Sequence, residues 1–121
     1  MFRMAVGHSD DIELETALAT VFGQCEAALD GAEPKAGLLM AAWDADHQSI
    51  VDAVRARYPG IELAGSTTAG EMSSVLGFQQ DSIALTLFAS DTVDITAGLG
   101  AGLRSDARAA TSSRTTSGAI R

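Results

Sequence analysis

Apolar residues along this chain fall into short runs and helical stripes, and their alternation predicts an α/β fold. Phe2 to Val6 reads as a first strand, closed by Gly7-His8-Ser9-Asp10. Leu14, Leu18, Val21, Phe22, Cys25 and Leu29 then recur at three- and four-residue intervals, the apolar stripe of a helix. Ser9 or Asp10 is its expected N-cap, with Asp10, Asp11 and Glu13 near the positive end of the helix dipole. Gly31 and Pro34 end it. Gly37 to Trp43 is a nearly continuous apolar run of strand length, the pattern of a central strand covered on both faces.

Asp44 or Asp46 caps a second helix in which Ile50, Val51, Val54 and Tyr58 face inward and which Pro59-Gly60 terminates. Ile61 to Ala64 is a third strand. Further on, Ser82 to Ala89 and Val93 to Leu99 alternate polar and apolar residues, and the short Ser90-Asp91-Thr92 connection fits an antiparallel hairpin. The expected fold is therefore a mixed sheet: three parallel strands joined by helices (βαβαβ), followed by that hairpin. Residues 1–104 form the expected domain. Residues 105–121, rich in Ser, Thr, Ala and Arg with Ile120 as their large apolar residue, read as a flexible tail in which Asp106 to Ala110 forms at most one helical turn.

Composition narrows the function. The 121 residues suffice for one domain, and 46% hydrophobic with 20% charged residues is globular composition. A net charge of -8 repels phosphate backbones, and the eight Lys and Arg form no stripe, so nucleic acid is not an expected partner. One cysteine, Cys25, excludes an intrachain disulfide and a multi-cysteine zinc site, and its place on the helical stripe reads as a buried, inert thiol. Neither a signal peptide nor an apolar run of about 18 residues is visible, so the expectation is a cytoplasmic protein with no membrane partner.

Ligands of open parallel sheets usually bind outside the carboxyl ends of the strands. Three polar clusters fall there: His8-Ser9-Asp10, Asp44-Ala45-Asp46-His47, and the segment from Ser66 to Glu71. In the last, Gly65 and Gly70 supply backbone freedom, Ser66, Thr67 and Thr68 supply hydroxyls, and Glu71 offers a carboxylate to a ligand ammonium group. Trp43 stands at a strand end, where it either stacks on a ligand or fills core. The candidate ligand-binding set is Ser9, Trp43, Asp44, Gly65, Ser66, Thr67, Thr68, Ala69, Gly70 and Glu71. No metal or cofactor is expected. His8, His47 and the nearby aspartates lack a spacing that gathers three ligands, and Ser66 lies in no Gly-x-Ser-x-Gly elbow, which leaves a hydrolase or metal enzyme the weakest alternative.

Taken in order, the Gly-x-Ser after the first strand, the Leu-Leu-Met strand, the helix ending Tyr-Pro-Gly, and Leu63-Ala64-Gly65-Ser66-Thr67-Thr68-Ala69-Gly70-Glu71-Met72 resemble the N-terminal domain of the FIST family over about Ala5 to Arg108. The resemblance implies a truncated sensory domain of a bacterial intracellular signal transduction protein. It also implies a small, polar, amino acid-like ligand at Gly65 to Glu71, bound without catalysis. Some members of that family bind haem, but neither His8 nor His47 lies in a matching motif. Truncation leaves a sheet edge for self-association into a homo-oligomer. It also motivates the alternative of a remnant or protein-interaction module that binds no ligand.

Overall fold

The structure, a computed structural model, describes residues 1–112. The elements in order are β1 (Phe2–Ser9), α1 (Leu14–Leu29), β2 (Ala36–Ala42), α2 (His47–Arg57), β3 (Glu62–Thr68), β4 (Glu71–Ser73), β5 (Gly77–Gln79), β6 (Ile83–Ser90) and α3 (Ala107–Ser112). Four strands form a mixed sheet in the order β1-β6-β2-β3, and β4 and β5 make a separate two-stranded ribbon.

The expected mixed sheet is present, but its βαβαβ part and hairpin are arranged differently. Only β2 and β3 pair in parallel, with Gly37 opposite Leu63 and Ala41 opposite Thr67. β6 inserts between β1 and β2 and is antiparallel to both. β1, β2 and β3 therefore still run in one direction, although β1 touches neither of the others through backbone pairing. The cause is apolar demand: Ile83, Ala84, Leu85, Leu87 and Ala89 are all buried, and an inner position shields them best. The same insertion abolishes the expected hairpin from Val93 to Leu99. Both edges of β6 are already taken, and residues 93–98 form no strand, with Leu99 making an isolated bridge.

Register places Ala5, Gly7, Leu39, Ala41, Leu63, Leu85 and Leu87 on one face of the sheet. Both long helices cover it. α1 contributes Ala17, Val21, Phe22, Cys25 and Leu29, and α2 contributes Ile50 and Val54, to a single core. The opposite face carries Phe2, Met4, Val6, Leu38 and Met40, of which Phe2, Met4 and Leu38 are exposed and Val6 and Met40 half-buried. β2 is inner, as expected, but not covered on both sides: Leu38 is 41% exposed. Two crossover helices packed on the same side leave the other side to the β4-β5 ribbon alone among the described residues.

Helix limits follow local chemistry. α1 starts later than Ser9 or Asp10 because β1 stays paired through Ser9, opposite Ile83. Ser9 Oγ accepts the Asp11 N–H at 3.2 Å, Asp11 Oδ1 accepts the Glu13 N–H at 2.9 Å, and Glu13 becomes the cap residue. Asp46 caps α2, accepting the Ser49 N–H at 3.2 Å and the Ser49 hydroxyl at 2.7 Å. These bonds hold the Asp46 carboxyl below its ordinary range. In α3 the Asp106 side chain accepts the Ala109 N–H at 3.0 Å, and the helix runs through Ser112 rather than stopping after one turn, with Ala110 buried. The rest of the expected tail, residues 113–121, lies outside the described residues.

Candidate functional site

The segment expected to be a loop from Gly65 onward is in its first half a strand. β3 continues to Thr68, with Leu39 opposite Gly65, Met40 opposite Ser66 and Ala42 opposite Thr68. Strand alternation then divides the hydroxyls. Thr67 shares the helical face with Gly65, whereas Ser66 and Thr68 share the open face. Neither glycine has positive φ, so the backbone freedom expected of them gives way to a role in close approach. A Cβ at Gly65 would stand 1.9 Å from the Leu39 carbonyl oxygen, and one at Gly70 would stand 2.3 Å from the Phe78 ring. Glycine is the residue that lets β3 keep its pairing with β2 and lets Phe78 lie against the chain.

On the helical face, β3 and α2 enclose a cleft of ≈ 410 Å³. His47, Val51 and Arg55, spaced by four, present one side of α2 to it, and Leu63, Gly65 and Thr67, spaced by two, present β3. Gly98 and Leu99 close a further wall, with Leu39 also lining it. His47 Nε2 is 2.8 Å from the Ala42 carbonyl oxygen, which fixes that nitrogen as the donor. The sequence signal for this wall was the four-residue spacing of His47, Val51 and Arg55, which the inward apolar set of α2 obscured.

The open face carries a smaller depression of ≈ 370 Å³ lined by Met4, Val6, Leu38, Met40, Thr68 and Glu71 among others. At its end lies a buried polar network. Ser73 Oγ accepts the Val75 and Leu76 N–H groups at 3.1 and 3.3 Å, so its own proton goes to His8 Nδ1, 2.6 Å away. His8 Nε2 then donates to Ser82 Oγ at 2.8 Å, and Ser82 Oγ donates to Glu71 Oε2 at 2.5 Å. The Ser82 N–H reaches the same oxygen at 3.2 Å, and the Thr68 hydroxyl donates to Glu71 Oε1. His8 is 0% and Glu71 2% exposed. Burial pushes the His8 imidazole below its ordinary value, with Glu71 and Asp10 pulling the other way, and the hydrogen-bond directions describe the same neutral ring. The network ties β1, β3, the ribbon and the start of β6 together. Serine stands between histidine and carboxylate, the reverse of a catalytic triad, in which histidine is central.

The other expected site residues scatter. Ser9 is buried at the end of β1, Trp43 is 71% exposed, and Ala69 is exposed on the bend before β4. Asp44 lines a third depression of ≈ 300 Å³ with Asp11, Asp46 and Asp81. The ten candidates thus do not converge: Gly65, Ser66 and Thr67 border the helical cleft, and Thr68, Gly70 and Glu71 the open-face depression. Ser66 Oγ donates to Met40 Sδ at 3.4 Å, and no hydrogen bond among the described residues links it to His47 or Asp44. Among the described residues no three His, Cys, Asp or Glu side chains are grouped to hold a metal ion. Cys25 is buried with its Sγ 3.7 Å from the Leu85 carbonyl oxygen, and burial pushes its thiol up to about 12. Sequence reasoning missed Ser73 and Ser82, for which no local pattern exists, and set His8 aside.

Residues 35–119 match the FIST N domain, more than half of the chain. The chain belongs to that family, whose members are generally sensory domains in signal transduction and are not typically catalytic. No curated protein matches the chain. No described helix is long and apolar enough to cross a membrane.

Proposed function

We propose that this chain is the ligand-sensing part of a cytoplasmic bacterial signal transduction protein, and that it binds a small molecule without transforming it. The observation that carries the reading is the helical cleft. It is large enough for a small organic molecule, it lies along β3, and three residues of the family motif, Gly65, Ser66 and Thr67, border it. The hydroxyl and carboxylate groups of Thr68 and Glu71, which border the smaller depression, are by contrast spent on internal hydrogen bonds. A thermal-shift screen of the purified chain tests this. A ligand at about one hundred times its dissociation constant adds roughly 2.7 kcal/mol to stability. The expected result is that one chemical class raises the transition and that Thr67→Ala, which removes the hydroxyl on the helical face, reduces the rise. A cooperative transition that no compound moves, or full affinity in Thr67→Ala, would overturn it.

A second reading, self-association, is favoured by the sheet itself. β1 is an edge strand, and Phe2 and Met4 on it are 55% and 57% exposed. Pairing of two β1 strands would satisfy outer-edge backbone groups left without a strand neighbour among the described residues, apart from the His8 N–H, which Gln24 Oε1 accepts at 2.7 Å. Light scattering over a concentration series distinguishes a dimer from a monomer.

A further inference from the structure

We infer that the helical cleft selects an apolar monocarboxylate, an organic acid without an ammonium group, held by its carboxylate at Arg55. The inference rests on the sensory reading of that same cleft and names the ligand's chemistry. Leu39, Val51, Leu63 and Leu99 make the body of the cleft apolar. The cationic side chain in its lining is Arg55, half-buried on α2. Among the described residues Arg55 joins no ion pair and no hydrogen bond, although the chain carries 16 acidic residues and a net charge of -8. The contrast with Arg57, two residues on, is instructive: Arg57 is paired with Glu26 at 3.3 Å and lies 5.5 Å over the Phe22 ring. An arginine lining an apolar cleft, with no ion-pair or hydrogen-bond partner among the described residues, is matched by a carboxylate, whose two oxygens fit the guanidinium fork.

The lining contains no aspartate or glutamate. An α-ammonium group would therefore enter beside a fixed cation with no counter-charge, which costs binding free energy. Free amino acids are thus disfavoured against their deaminated skeletons. Glu71, the carboxylate that would pair with an ammonium group, is buried in the polar network on the opposite face. Thr67, which lines the cleft, offers a hydroxyl for a secondary hydrogen bond.

The test uses three probes on the whole chain: 4-methylvalerate, its neutral amide, and leucine, followed by titration of backbone NMR signals. The expected result is shifts at Gly65, Thr67, Gly98 and Leu99, with 4-methylvalerate at least about tenfold tighter than the amide and than leucine, the size of one well-made charged contact. Arg55→Gln should bring the acid down to the level of the amide and leave the amide unchanged. If acid and amide shift the cleft signals with equal affinity, or Arg55→Gln spares the preference, the carboxylate assignment is overturned while the cleft stands as a site. If leucine binds as tightly as the acid, the exclusion of ammonium is wrong. If no probe shifts the cleft signals, both the assignment and the underlying reading fail.

Discussion

The two faces of the four-stranded sheet are made from alternate residues of the same strands, yet they lead different lives. Leu85 and Leu87 are sealed under α1, while Leu38 and Met4, a residue or two away across the pairing, meet solvent. Apolar content does not separate the faces, because both are rich in large aliphatic and sulfur side chains. Coverage separates them: α1 and α2 both cross on one side, and among the described residues the other side receives only the β4-β5 ribbon at one end. There the chain closes the gap with hydrogen bonds instead of packing, through His8, Ser73, Ser82 and Glu71. One face is thus held by exclusion of water, and the covered part of the other by a satisfied polar network, in which removal of any member strands its partners.

The largest expected effect is on the helical face. Leu87→Ala removes a fully buried side chain and should destabilise the fold by about 3 kcal/mol in urea denaturation. A loss below about 1 kcal/mol would mean that the helices do not seal that face. Next comes Glu71→Ala, which leaves the Ser82 and Thr68 donors without their acceptor in a buried site and should cost about 2 kcal/mol. Its loss should also raise amide exchange across residues 71–79 ahead of β6. Unchanged protection there would show that something other than the network pins the ribbon.

A smaller effect is set by pH. His8 is neutral in the fold with its imidazole held below the ordinary value near 6.5, so below that pH the unfolded chain binds a proton that the folded chain refuses. Stability from this group is full above about pH 6.5 and falls as pH drops through that value, with a slope of at most about 1.4 kcal/mol per pH unit. The groups bearing on the ring are Glu71 and Asp10 by charge and Ser73 and Ser82 by hydrogen bond. Urea midpoints at pH 7.5 and 5.5 should separate more in the native chain than in His8→Asn. Equal separations would place the proton elsewhere. The smallest effect is expected from Leu38→Ser on the open face, within about 0.5 kcal/mol at low protein concentration. A loss that grows with concentration would reveal a second copy on that face.

Much of this architecture is legible in periodicity alone. The stripe from Leu14 to Leu29, the run into Ala42, the capped helix after Asp46 and the strand after Ile61 are local patterns, and each element forms where its pattern lies. So is the family, because Gly65 to Glu71 is a contiguous motif and residues 35–119 match the FIST N domain. What periodicity does not encode is which strands become neighbours. The insertion of β6 between β1 and β2 is a contest for burial among segments more than forty residues apart, and its outcome removes the hairpin expected from Val93 to Leu99. The site follows the same division. Gly65, Ser66 and Thr67 are visible as a motif, but strand alternation sends Thr67 to a cleft with Arg55 and sends Thr68 towards Glu71. His8 meets Ser73 and Ser82 across 65 and 74 residues of chain. Side-chain type and local period are properties of the sequence; which face a side chain serves, and what partner it finds there, is settled only when the strands compete for the same core.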